Sequence, residues 1–132
     1  MPLQDFLGIP YRLTGRDRSG ADCAGLVLMY LRSLGYRPPD GDGKPVTADW
    51  RNGAEERMRA WLSRYAQPVD RPQEGDIVLF RLPRGTMHLG VMVDDKNFLH
   101  VMEDRDSMLT PLRLARRRLA GLYRLKPEWK KT

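Results

Sequence analysis

The apolar residues of this 132-residue chain change their period once, and the change falls at Pro68 and Pro72. Before it they recur every three or four positions, the mark of helices with one buried stripe. After it, short apolar runs are separated by turn residues, the mark of strands. Cys23, Leu26, Val27, Tyr30, Leu31 and Leu34 predict a helix from Asp22 to Leu34, with Asp22 as N-cap and Gly35 as stop. A second helix is expected from about Ala48 to Tyr65, on the stripe Trp50, Ala54, Met58, Trp61, Leu62 and Tyr65. Strands are expected at 76–81, 88–93, 97–102 and 121–125, with a less regular one at 108–112. Residues 3–12 read as an irregular or short helical lead-in, and 14–21 and 36–49 as loops by their Gly, Pro and small polar residues.

Helices first and hairpin-linked strands afterwards predict an α+β fold in which N-terminal helices pack on a central antiparallel β-sheet. The length fits a single domain spanning residues 1–132, large enough to hold a core without metal or disulfide staples. One cysteine cannot form an internal disulfide. No stretch approaches the roughly 18 consecutive apolar residues of a membrane span. The first six residues, Met1 to Phe6, lack a basic start followed by an apolar run, so cytoplasmic synthesis without a signal peptide is the expectation.

The net charge of +6 is unevenly placed. From Arg113 to Thr132 eight basic residues face one acid, Glu128, which gives that segment +7 and leaves −1 for the other 112 residues. Such a basic C-terminal tail, about 113–132, is attracted to nucleic acid, anionic wall polymer or an acidic protein surface, or is a solvated face beside the last strand. There is no aromatic-interleaved platform and no helix-turn-helix pattern, so nucleic acid is not the expected partner.

The chemistry concentrates on three residues. Cys23 is the only cysteine, and His88 and His100 are the only histidines. A thiol, an imidazole and an orienting group form the smallest set that makes a covalent nucleophile. In the first turn of a helix the N–H dipoles lower a thiol's pKa, and a cysteine there is where an enzyme exposes one. The competing reading is a small core residue on the helix's buried stripe. If Asp94-Asp95-Lys96 forms a three-residue hairpin loop, Val93 pairs with Asn97 and Gly90 with His100. His88 and His100 then share one face, within reach of each other, and Gly90 leaves His100 uncrowded. A two-residue loop would put them on opposite faces. Cys and two His could instead hold zinc, but no ligand pair has helical or knuckle spacing and no fourth ligand is at hand, so neither metal nor cofactor is expected.

Together these segments resemble the NlpC/P60 family of cell-wall cysteine peptidases. Pro10-Tyr11, Gly15 and Asp22-Cys23-Ala24-Gly25-Leu26-Val27 resemble the family's "PY…GG…DCSGLV". Gly75 to Phe80 resembles "GDLVFF"; His88 to Val93 followed by Asn97 to Val101 resembles "HVGIYLG…FIHA"; Gly121 to Leu125 looks like the closing strand. The resemblance covers roughly residues 8–125 and implies a papain-like NlpC/P60 fold. It implies Cys23 as nucleophile, His88 as general base and acid, and His100 as the group orienting His88. It places Tyr11 near the scissile carbonyl, and Asp22 where it greets a substrate amine or positions the cysteine loop. Two features depart from the pattern: Ala24 stands where the family has serine, and the connection from Gly35 to Glu74 is longer than usual, either walling the cleft or docking a partner.

The activity so implied is hydrolysis of peptidoglycan stem peptides, between D-γ-glutamyl and the diamino acid. A small domain without a wall-binding module resembles the forms encoded with phage tail proteins, so the expected setting is virion-associated, acting at the bacterial cell wall with phage tail proteins as partners. The alternatives are a structural or binding tail component that keeps the fold with little turnover, and acyl transfer or amide hydrolysis on a non-wall substrate.

Overall fold

The first helix forms where the sequence places it. In the computed structural model, which describes residues 2–131, α1 runs Cys23–Ser33 and the Asp22 side chain accepts the Gly25 N–H at 2.8 Å. Its other end closes through Gly35, whose φ of +94° only glycine adopts without strain. Gly35 N–H donates to the Arg32 carbonyl and Tyr36 N–H to the Leu31 carbonyl, each at 3.0 Å. These two bonds close the helix end on its last-turn carbonyls. Ahead of α1, in the stretch read as loop, two short strands, β1 (Arg16–Asp17) and β2 (Gly20–Ala21), pair antiparallel.

The second helix, α2, is shorter than expected, Ala54–Tyr65 instead of 48–65. Gly53 takes a left-handed φ of +76°, which breaks any helix arriving from Ala48. Trp50 therefore sits in a turn, its N–H on the Thr47 carbonyl at 3.0 Å, and not on the helical stripe. After α2 the chain enters β3, Ala66–Pro68, directly. The prolines were expected only to end the helix; Pro68 is also tolerated in a strand because β3 lies at the sheet's edge.

The remaining strands are β4 (Ile77–Arg81), β5 (Met87–Met92), β6 (Asn97–Met102), β7 (Arg105–Pro111) and β8 (Leu119–Leu125). The six-stranded order is β3-β8-β4-β5-β6-β7, with every neighbouring pair antiparallel. Both β7 and β8 extend beyond the expected 108–112 and 121–125. The basic segment thus contributes an interior strand, with β8 between β3 and β4.

Strand alternation divides the core in two. One face carries Ile77, Leu79, Val91, Leu99 and Val101, and packs with Leu26, Val27, Tyr30 and Leu31 of α1. The other carries Val78, Phe80, Met92, Phe98 and Leu122, closed by Leu112. Each fully buried Leu or Ile contributes roughly 1.5–3 kcal/mol relative to exposure. The strongest anchors of α1 are Leu26 and Leu31, both at 0% exposure.

Candidate active site

Cys23 is the first residue of α1 and is 8% exposed. It lines a cavity of about 160 Å³ between α1, α2 and the 40–50 segment. The sulfur packs against the backbone of Leu89 on β5, and burial pushes its pKa up to about 11. Hydrogen bonding from the Leu89 and Ala24 backbones opposes the shift, while the Asp22 charge adds to it. The expected lowering by the helix N-terminus is therefore overturned: desolvation of the charged form outweighs the dipole contribution here. At rest Cys23 is a neutral thiol.

His88 and His100 come together as the three-residue hairpin predicts. Val93 N–H donates to the Asn97 carbonyl at 2.9 Å, and Val91–Leu99 and Met92–Phe98 pair in the same register. Asp94 holds the turn by accepting the Lys96 and Asn97 N–H groups at 2.8 and 2.7 Å. His88 Nε2 lies 2.9 Å from His100 Nδ1, and His100 Nε2 lies 2.8 Å from Thr110 Oγ1 on β7. Phe80 stacks 6.2 Å from His88, and the Phe98 ring sits 4.6 Å from His100. Gly90 serves differently from the expectation: a Cβ there would meet Phe98 and Val78, so its absence makes room for the Phe98 ring and not for His100.

Burial pushes the His88 pKa down to about 3, with His100 adding to the shift. Burial likewise pushes His100 down to about 4, with Arg105 adding. Both rings are neutral at pH 7, so either can accept a proton. The structure does not hydrogen-bond them to the thiol: among the described residues Cys23 makes no hydrogen bond to either ring. Leu89 lines the cavity, whereas His88, one position earlier, lies on the Phe80 face of the strand. His88 Nδ1 has no hydrogen-bond partner among the described residues.

Asp22 and Tyr11 lie on the cysteine's side of the cavity. Asp22 accepts from Thr14 N–H at 2.7 Å, Gly25 N–H at 2.8 Å and Arg16 Nη1 at 2.8 Å. These bonds hold the loop before Cys23 against the helix start. Arg16 continues to Asp40 through Nε at 2.9 Å and Nη2 at 3.1 Å. The Tyr11 hydroxyl has a raised pKa, chiefly through burial and then through the proximity of Cys23 and Asp22, so it remains a phenol at neutral pH.

The long connection walls the cleft. Val27, Leu28, Trp50, Met58, Trp61 and Leu89 make an apolar lining. Each charged residue of the lining is paired with another: Arg16 with Asp22 and Asp40, and Arg57 with Asp42 through two 2.8 Å bonds. Trp61 Nε1 donates to the Pro39 carbonyl at 3.1 Å and ties the loop to α2. Sequence reasoning missed Arg16, Asp40 and Thr110. Arg16 stands six residues before Asp22, in a two-residue strand too short to leave a periodic signal, and Asp40 meets it only through the fold. Thr110 lies opposite Phe98, two residues along from His100's own partner Met108, in the strand whose pattern is least regular in the sequence.

A thiol at a capped helix start and a hydrogen-bonded imidazole pair on the sheet behind it are carried by one α+β fold. The NlpC/P60 family profile matches residues 8–114, and the chain belongs to that family. It is 25% identical over 114 residues to the "Probable endopeptidase NlpC" of Escherichia coli K12. That match covers 83% of this chain and 64% of that protein, so the chain spans less than two thirds of the relative's length. A crystal structure of an NlpC/P60 family protein from Bacillus cereus ATCC 10987 superposes with a TM-score of 0.65 at 26% identity, over 92% of this chain and 37% of that one. The NlpC/p60 domain of peptidoglycan hydrolase SagA shares the fold, with a TM-score of 0.57 at 21% identity, over 93% of this chain and 91% of that domain.

Proposed function

We propose that this chain is a cysteine peptidase that hydrolyses peptidoglycan stem peptides, with Cys23 as nucleophile, His88 as its base and acid, and His100 as the orienting ring. The observation that carries the proposal is the 2.9 Å His88–His100 contact on the strand whose next residue, Leu89, abuts the Cys23 sulfur. Membership of the NlpC/P60 family supports it.

In this reading the Cys23 sulfur and His88 Nδ1, not hydrogen-bonded at rest, come within reach when substrate binds; the Cys23 proton then passes to Nδ1 as the sulfur attacks the amide carbon. The leaving amine takes the proton from His88, and water then hydrolyses the thioacyl intermediate. The Cys23 backbone N–H is a partial oxyanion donor, and the Tyr11 phenol assists at the carbonyl. The finer parts of the proposal are the D-γ-glutamyl–diamino acid bond as the target and a phage-tail enzyme acting at the wall as the setting. Muropeptide digestion with wild type and Cys23→Ala tests the activity: cleavage confined to wild type supports it, and intact muropeptides with both sink it. Tail genes flanking the coding sequence test the setting.

One observation favours a second reading, a tail component with little turnover: Cys23 is buried, at 8% exposure, and its thiol is not hydrogen-bonded to either ring. Normal virion function in Cys23→Ala would select it.

A further inference from the structure

His100 has a second partner that no part of the proposed mechanism uses. Its Nε2 lies 2.8 Å from Thr110 Oγ1, so His88, His100 and Thr110 form one continuous chain of hydrogen bonds. Thr110 pairs with Phe98 across β6 and β7, and reaches His100 diagonally. The Phe98 ring, 4.6 Å from His100, limits how far that imidazole can turn.

Resting on the reading of Cys23 as nucleophile and His88 as base, we propose that Thr110 is a positioning residue that selects which nitrogen of His88 is free to receive the thiol proton. A neutral imidazole carries one ring proton, so each ring donates at one nitrogen and accepts at the other. Two bonds in series then allow only two orders. In the first, His88 Nε2–H donates to His100 Nδ1, His100 Nε2–H donates to Thr110 Oγ1, and His88 Nδ1 keeps a bare lone pair. In the second, every bond reverses, the proton sits on His88 Nδ1, and that nitrogen cannot take another from the thiol.

Thr110 sets the order by which role its oxygen takes. The residue is only half-buried, so its own O–H can turn to solvent while Oγ1 accepts from His100. With the acceptor removed, His100 Nε2–H is left without a partner. The ring then shifts its proton to Nδ1, which donates to His88 Nε2 and drives His88 into the non-basic tautomer. Thr110 touches no reacting atom and acts wholly through His100.

The test compares wild type, Thr110→Val and Thr110→Ser. Valine is close in shape and suits a strand, so the fold is kept, with thermal unfolding as the check. Long-range proton–nitrogen NMR of the full chain at neutral pH reads the tautomers without needing turnover. The expectation is Nε2–H on both rings in wild type and in Thr110→Ser, and a shift towards Nδ1–H on both in Thr110→Val. On muropeptides, kcat should fall about tenfold in Thr110→Val, the value of one neutral hydrogen bond, and recover in Thr110→Ser. KM should stay within about twofold, because the lost effect lies in proton transfer and not in binding. Nδ1–H tautomers in wild type, or tautomers unmoved by Thr110→Val, overturn the proposal. If the tautomers move as expected but wild type cleaves nothing, the positioning role stands and the peptidase reading falls.

Discussion

Arg124 grips the Asp76 carboxylate from 48 residues away, with Nε on Oδ1 at 2.8 Å and Nη2 on Oδ2 at 2.9 Å. Asp76 is 0% exposed, and its Oδ2 also accepts the Gln73 N–H at 2.9 Å. A member of the basic C-terminal segment is thus a structural counter-ion that ties β8 to the start of β4. Removing it leaves a buried carboxylate without its counter-ion. Arg124→Met should cost about 1–3 kcal/mol in chemical denaturation, the range for leaving a buried polar group without its partner, because the Arg124 side chain is itself 32% exposed. Adding Asp76→Asn should restore part of the loss, since the two sites share one interaction. A change below about 1 kcal/mol in the single variant would refute the role.

Gly25 sits inside α1, where alanine normally stabilises a helix by about 1 kcal/mol. Here the sign should reverse. A Cβ at Gly25 would press into the Gly15 carbonyl oxygen and come within 2.7 Å of Arg16 Nη1. The glycine lets the β1–β2 hairpin close onto the helix start, which is how Arg16 reaches Asp22. Gly25→Ala should therefore destabilise by about 1–3 kcal/mol, as overpacking does. Circular dichroism melts will decide; a higher midpoint in the variant refutes the close approach.

The parts of the fold legible in the sequence are those governed by local rules. Asp22 and Gly35 bracket α1 because capping and left-handed backbone are properties of single residues. The His88–His100 pair follows from a three-residue turn and the two-residue strand period. Illegible were features set by distant packing: the start of α2 at Ala54 after left-handed Gly53, the edge strand Ala66–Pro68, and the Arg16–Asp40 pair. The thiol's acidity was misread for the same reason. Position at a helix start is written in the sequence, whereas its burial against β5 arises only when the sheet assembles.

The histidine pair should leave a signature in stability. Both pKa values are depressed in the folded state, to about 3 and about 4, against about 6.5 for an unfolded histidine. Above about pH 6.5 neither state protonates these rings, and their neutral burial carries no pH-linked cost. As pH falls below that value the unfolded chain binds protons that the folded chain refuses, so stability is lost progressively towards pH 4 and 3. Urea midpoints taken between about pH 7.5 and 5 should decline, and the decline should flatten in His88→Gln/His100→Asn. An equal slope in that double variant would show that the rings are not the source.

Cys23 makes the most direct forecast about the site. With its pKa near 11, the thiolate fraction at neutral pH is small and grows tenfold per pH unit. Alkylation by iodoacetamide should therefore keep rising from about pH 6 to pH 9 without a plateau. A resting thiolate–imidazolium pair behaves differently, reaching its plateau well below neutrality. The cavity's charges are internally paired and its wall is apolar, so neutral iodoacetamide should outpace anionic iodoacetate by more than it does on a free thiol. Intact-mass measurement of the single-cysteine chain reads both rates directly. A plateau in the acid range would mean that the ring and the sulfur already share a proton at rest, which contradicts the neutral thiol derived from burial.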